Sequence, residues 1–165
     1  MDETIRNALF QAYTGESKAT LRLKVYADKA AEEGFPQLAK LFRVIAFSEE
    51  LHAKRALKLL KEIQSTEENL KTSFESETRV AQVAYDDFIK RATTVGDRAA
   101  SMYFSQSRDA EEIHAKLYKE AIDHTIEERD TTYYVCDFCG YVSDGILPEV
   151  CPICRAKKEH FVTFT

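Results

Sequence analysis

The chain has 165 residues, 44% of them hydrophobic and 31% charged, with a formal charge of −5. This length allows one ordinary domain, or a domain of about 130 residues with a small appendage, and the composition is globular rather than disordered. The acidic balance gives no attraction to nucleic acid or an anionic membrane. "MDETIRNALFQAYTG" has no basic segment followed by an apolar run, and no hydrophobic stretch approaches the ~20 residues that span a bilayer. The expected location is the cytoplasm, with neither nucleic acid nor membrane as partner.

In chain order, apolar and unexpectedly inward residues recur every three or four positions in a first segment: Ile5, Leu9, Ala12, Glu16, Ala19, Leu23, Tyr26 and Ala30. That spacing predicts one face of a helix. Gly34 suits its C-terminal cap and Pro36 the first turn of the next helix. The second helix carries Leu38, Leu41, Ile45, Glu49, His52, Ala56, Leu59 and Ile63, and polar "QSTEEN" at 64–69 ends it. A third follows through Leu70, Phe74, Glu77, Ala81, Ala84 and Phe88. Gly96 stops it, and Asp97 caps a fourth with Phe104, Ser107, Glu111, His114, Tyr118 and Ala121 on its face. Four helices of roughly 25 residues, each roughly 37 Å long, predict a four-helix bundle.

Six polar residues stand on these apolar stripes: Glu16, Glu49, His52, Glu77, Glu111 and His114. An unpaired carboxylate there would be costly and would tend to protonate, so the six need a common partner. "SEELHAKR" and "AEEIHAKL" repeat one pattern, with Glu49 and Glu111 each three positions before a histidine and projecting beside it. Glu50 and Glu112 point away and read as solvated residues. Glu16 precedes Gly34 by 18 positions and His52 follows it by 18, while Glu77 precedes Gly96 by 19 and His114 follows it by 18. Each hairpin therefore brings its polar residues to one level. A Glu from each of two helices plus Glu-x-x-His from each of the other two describes a di-iron or di-manganese carboxylate bundle. The competing reading is a set of interhelical salt bridges with satisfied core histidines.

After the polar linker "HTIEERDTT" at 124–132 the helical period stops. Cys136, Cys139, Cys151 and Cys154 form two Cys-x-x-Cys pairs in a segment too small to fold on apolar burial alone. They predict one tetrahedral four-thiolate site, for which spacing alone leaves structural zinc and redox iron open.

Together "YTGESKA", "SEELHAKR", "ENLKTSFESET", "AEEIHAKLY" and "CDFCGY…LPEVCPIC" resemble the rubrerythrin family, in its order and over essentially the whole chain. The resemblance implies a mainly α fold, with a ferritin-like di-iron four-helix bundle over 1–131 and a small rubredoxin-like Fe(Cys)4 β domain over 132–165. The implied di-iron ligands are Glu16, Glu49, His52, Glu77, Glu111 and His114. The carboxylates of Glu16, Glu49, Glu77 and Glu111 would also act in catalysis, and Tyr85 matches a family tyrosine that hydrogen-bonds near the cluster.

The implied activity is non-haem peroxidase chemistry on hydrogen peroxide, in oxidative-stress defence. Electrons would come from an external rubredoxin or NAD(P)H-dependent reductase. A homodimer or higher oligomer is implied, in which one chain's rubredoxin-like domain approaches its partner's di-iron site because a chain's own two centres lie far apart. The alternatives are a ferroxidase or O2-reducing oxidase, and a non-enzymatic metal binder with a structural zinc ribbon. The sequence departs from the family at Val80, where a further glutamate usually exchanges with the second-helix histidine. It also departs at Leu23, often tyrosine, and at Arg155, usually a small residue.

Overall fold

The computed structural model of the chain describes residues 1–123 and 130–165. Part of the expected linker, 124–129, lies outside the described residues. The chain divides into two compact units, Met1–Gln64 and Ser65–Thr165.

The first unit is a hairpin of α1 (Glu3–Glu32) and α2 (Pro36–Leu60). Asp2 opens α1 by accepting hydrogen bonds from the backbone N–H groups of Thr4 and Ile5. The turn forms as the sequence predicts. Gly34 takes φ +80°, and the Gly34 and Phe35 N–H groups return to the carbonyls of Ala31 and Ala30. Proline then stands at the start of α2. The buried residues are small: Thr20, Ala27 and Ala30 on α1, and Ala39, Ala46, Ala53 and Ala56 with Leu60 on α2. Small side chains let two backbones approach closely. The larger members of the predicted inner stripe, Ile5, Leu38, Leu41, Ile45 and Leu59, are instead exposed. A two-helix hairpin can bury only the edge of a stripe that a four-helix bundle would cover.

In the second unit, α3 (Thr66–Arg79), a π-helical turn (Val80–Ala84) and α4 (Tyr85–Val95) pack against α5 (Arg98–Ile122). The third predicted helix thus starts four residues earlier than the Leu70 at which its periodicity begins. The reason is a capping box: Ser65 Oγ accepts from the Glu68 N–H, and the Glu68 carboxylate accepts from the Ser65 N–H. The π turn is a second departure from the single helix expected. Gly96, at φ +73°, ends α4, and Asp97 caps α5 by accepting from the Ala100 N–H at 2.9 Å, both as predicted.

The C-terminal part is a three-stranded antiparallel sheet of order β2–β1–β3, formed by β1 (Tyr133–Cys136), β2 (Val142–Asp144) and β3 (Phe161–Phe164). Two cysteine loops have the same construction. The Cys136 N–H donates to the Tyr141 carbonyl and the Gly140 N–H to that of Cys136. In the second loop the Cys151 N–H donates to Ala156 and the Arg155 N–H to Cys151. The residue after the second cysteine of each pair must enter the left-handed region: Gly140 has φ +79° and Arg155 φ +66°. Only glycine does so without strain.

This explains the small residue expected at position 155 and yields a test. Arg155→Gly should stabilise the metal-bound C-terminal domain by roughly 0.5–1 kcal/mol, once the greater freedom of glycine in the unfolded chain is subtracted. Slower loss of the cysteine-bound metal to a chelator is the expected readout.

Candidate metal centres

In the first unit α1 supplies Glu16 and α2 supplies Glu49 and His52, with one potential ligand atom from each lying within 4.8 Å of the others. His52 Nδ1 is 3.0 Å from Glu49 Oε2. The adjacent Glu50 points elsewhere, as the spacing predicts. It pairs with Lys54 and Lys24, whose hydrogen bonds and charges hold its carboxyl below the usual range. Glu112 on α5 is exposed.

The second unit repeats the arrangement with Glu77 from α3 and Glu111 and His114 from α5, again within 4.8 Å. His114 Nδ1 lies 2.8 Å from Glu111 Oε2. Burial pushes the Glu77 carboxyl from 4.5 up to about 7, reinforced by a hydrogen bond to Glu111 and by its charge, with His114 opposing. One proton shared between two neighbouring carboxyls is the response expected where two negative charges cannot be held together.

The other ring nitrogen of His114 was not anticipated. Nε2 lies 2.9 Å from the carbonyl oxygen of Gly140. A carbonyl can only accept, so Nε2 carries the proton and donates it. In the neutral ring the Nδ1 lone pair then faces the two carboxylates, the orientation a metal-binding imidazole requires. Gly140 follows Cys139, so the chain's own cysteine lobe rests against its own His114. This corrects the expectation that the two centres of one chain are far apart. The contact joins residues 26 positions apart across the linker, and no spacing rule could have revealed it.

Tyr85 opens α4 directly after the π turn, with its hydroxyl hydrogen-bonded to Ser107. Burial first, and then the charges of Tyr103, Glu111 and Glu77, raise its pKa. Its ring meets Phe88 and Phe104 at centroid distances of 5.9 and 6.3 Å. A π turn adds about one residue to a helical turn. Eight positions from Glu77 to Tyr85 therefore span about two turns, and the tyrosine returns to the face of the carboxylate.

The four cysteines converge, with Sγ separations of 3.6 Å for Cys136–Cys154 and 3.5 Å for Cys139–Cys151. These are far beyond a disulfide bond of about 2.05 Å. They approach the ~3.8 Å edge of a tetrahedron with metal–sulfur bonds near 2.3 Å. Burial raises the Cys139 and Cys154 thiols. At Cys151 burial acts the same way, but the N–H groups of Cys154 and Ile153 and the Cys139 and Cys154 side chains outweigh it and lower the thiol. Four thiols inside one shell suit an ion that replaces their protons. The donor chemistry separates the sites: oxygen and imidazole in the helices fit iron or manganese, and four sulfurs fit iron or zinc.

The Glu77–Glu111 pair sets a pH signature of the metal-free protein. A carboxyl raised from 4.5 to about 7 on folding contributes stability below about pH 4.5, which is lost as pH rises through about 7. Glu77→Gln should remove this dependence, raising metal-free stability at pH 8 by about 1 kcal/mol after allowance for solvent screening, and less at pH 5. Denaturant melts of both proteins at the two pH values check it.

Comparisons with known proteins agree with this geometry. Residues 7–122 match the rubrerythrin family model, and residues 134–162 match that of the rubrerythrin rubredoxin-like domain. Rubrerythrin-2 of Clostridium acetobutylicum is 32% identical over 94% of this chain and 94% of its own length. A putative rubrerythrin of Methanocaldococcus jannaschii is 31% identical over 98% and 92%. Nigerythrin of Nitratidesulfovibrio vulgaris is 29% identical over 98% and 86%. A structure of nigerythrin in a mixed-valence state superposes with a TM-score of 0.58 at 28% identity, covering 96% of this chain and 86% of that one. With two ligand triads in its helices and four converging cysteines, the chain belongs to the rubrerythrin family: it is an oxidoreductase with a ferritin-like di-iron domain and a C-terminal rubredoxin-like domain.

Proposed function

We propose that the chain reduces hydrogen peroxide to two waters, consuming two protons and two electrons. The electrons arrive singly through its four-cysteine centre from an external rubredoxin or NAD(P)H-dependent reductase, in a reducing cytoplasm where thiolate ligands persist. The observation that carries this reading is His114. One of its nitrogens faces Glu111 and the other donates to the carbonyl beside Cys139, so a carboxylate triad and a thiolate centre share a short bonded route. A structural zinc ribbon has no need of that contact. Nigerythrin, at 28% identity, has been solved in an all-ferrous state, which supports iron as the metal here.

Glu16, Glu49, His52, Glu77, Glu111 and His114 would hold two ferrous ions, which supply the electrons that break the O–O bond. The carboxylates of Glu16, Glu49, Glu77 and Glu111 hold the metals and pass protons to the departing oxygens. Tyr85, fixed by Ser107 and the phenylalanine rings, keeps a hydroxyl proton on the face of Glu77. Its ring also helps to keep bulk water from that face. Val80 stands half-buried at the start of the π turn and offers no carboxylate that would compete with His52 for a bound ion. The same missing carboxylate favours an O2-reducing or ferroxidase reaction as the second reading.

Stopped-flow mixing of the fully reduced protein with peroxide, and separately with O2, decides between the enzymes. We expect peroxide to restore the red colour of the oxidised Fe(Cys)4 centre much faster than O2. Equal or reversed rates overturn the peroxidase reading, and a colourless protein containing zinc overturns internal electron delivery.

The contact at Gly140 can be tested separately. An alanine Cβ there would meet no atom within 4 Å, so its only effect is on a backbone held at φ +79°. Gly140→Ala should displace the carbonyl from His114 and slow reoxidation of the Fe(Cys)4 centre several-fold. The initial reaction of the helical iron with peroxide should remain near its original rate.

A further inference from the structure

We propose that Tyr85 and Tyr103 form a one-electron relay: it supplies the missing electron when peroxide meets a helical metal site that holds only one, and it carries the resulting radical to the protein surface. This inference rests on the peroxidase reading above and adds what the chain does when that chemistry is caught halfway. Peroxide takes two electrons, whereas the four-cysteine centre delivers them one at a time. A site reached by peroxide between two deliveries is one electron short, and the deficit falls on an oxidisable side chain beside it.

Composition leaves few such side chains. The chain has no tryptophan, and its four cysteines are gathered in the C-terminal site. A phenol is then the group in the helices that gives up one electron most readily. Tyr85 stands half-buried on the Glu77 face, close enough for the charges of Glu77 and Glu111 to act on its hydroxyl, which is hydrogen-bonded to Ser107. An oxidised phenol is a strong acid, so its electron and proton leave together. The proton is used, because the reduction of peroxide consumes two. In balance, hydrogen peroxide, one ferrous ion, one solvent proton and the Tyr85 phenol give two waters, one ferric ion and a neutral Tyr85 phenoxyl radical.

Aromatic contacts lead outward from Tyr85. The ring of Phe104 lies 6.3 Å from that of Tyr85 and 5.3 Å from that of Tyr103, centroid to centroid. Phe88 closes the cluster at 5.9 Å from Tyr85 and 5.4 Å from Phe104. Packed rings couple electronically, and a phenyl ring is much harder to oxidise than a phenol, so Phe104 bridges the two tyrosines without holding the charge. Tyr103 is 60% exposed. It returns an electron to Tyr85, which takes back a proton, while Tyr103 releases its own proton to water. At the surface a soluble thiol restores Tyr103 by giving up a hydrogen atom and becoming a thiyl radical. Without a thiol, two Tyr103 radicals from different copies join through a ring carbon–carbon bond, and the ring hydrogens shift to the oxygens to give dityrosine.

Rapid freezing tests the relay. The iron-loaded full chain is brought to one electron per helical iron pair, mixed with peroxide in the absence of thiol, and frozen for electron paramagnetic resonance. Wild-type protein should exchange its mixed-valence signal for a tyrosyl radical, whose hyperfine pattern narrows when the protein is made with ring-deuterated tyrosine. Tyr85→Phe should lose most of the radical yield. Tyr103→Phe should keep the radical with a several-fold longer lifetime and lose the dityrosine cross-link detected by peptide mass spectrometry.

A mixed-valence signal that disappears without a radical overturns the proposal, as does a radical equally strong in Tyr85→Phe. The wild-type and deuterated samples need no variant, so the relay stays falsifiable even if a substitution fails to fold. A mixed-valence signal that peroxide leaves untouched instead removes the peroxidase reading itself, which keeps the two failures apart.

Discussion

Carboxylates on a helix face that also carries leucine and isoleucine are tolerable only when their charge is shared. In the second unit Glu77 and Glu111 hydrogen-bond to each other, burial raises the Glu77 carboxyl to about 7, and His114 lies beside them. Two divalent cations would take the place of that proton and bring four carboxylates and two imidazoles into one neutral group. The remaining architecture answers this constraint. The hairpins set carboxylate and imidazole at one level, and the cysteine lobe supplies the acceptor that fixes the ring of His114.

Much of this was legible from residue spacing, because the relevant geometry is local. Gly34, Gly96 and Asp97 act at the turns where they were expected, and three- and four-residue spacing correctly separated Glu49 from Glu50. The start of α3 was misplaced because its first turn is held by a capping box before the apolar rhythm begins. The π turn was missed for a deeper reason. Hydrophobic periodicity reads an average helical pitch, and a single widened turn between Arg79 and Tyr85 alters it too briefly to register. The exposure of the larger residues on the α2 stripe escaped as well, since a pattern shows which residues share a face without showing what lies against it.

The histidine at position 114 links the two chemistries because its nitrogens have separate tasks. If Nε2 donates to Gly140, Nδ1 must offer a lone pair or become cationic, and the carboxylates beside it are suited to either state. Gly140 serves this arrangement through its backbone. Its left-handed conformation directs the N–H to Cys136 while its carbonyl faces His114. The second cysteine loop has the same hydrogen bonds but places Arg155 at the corresponding position. One loop thus has an unstrained glycine beside His114, and the other accepts a strained side chain at Arg155.

Val80 carries a consequence that follows from charge alone. On the proposed reading four carboxylates balance two ferrous ions, whereas two ferric ions leave two positive charges without a carboxylate. The additional glutamate of the family would offset one of these in the oxidised state, and a valine side chain offsets none. Removing an anionic ligand penalises the oxidised ions more than the reduced ones, most strongly where burial lowers the local dielectric. The burial that raises Glu77 marks this face as such a place. Relative to a site with the extra glutamate, this one is therefore biased towards its reduced state. On that reading it would be easier for the neighbouring four-cysteine centre to reload. The π turn beginning at Val80 reinforces that bias, because it brings a neutral phenol, Tyr85, to the Glu77 face two turns further on.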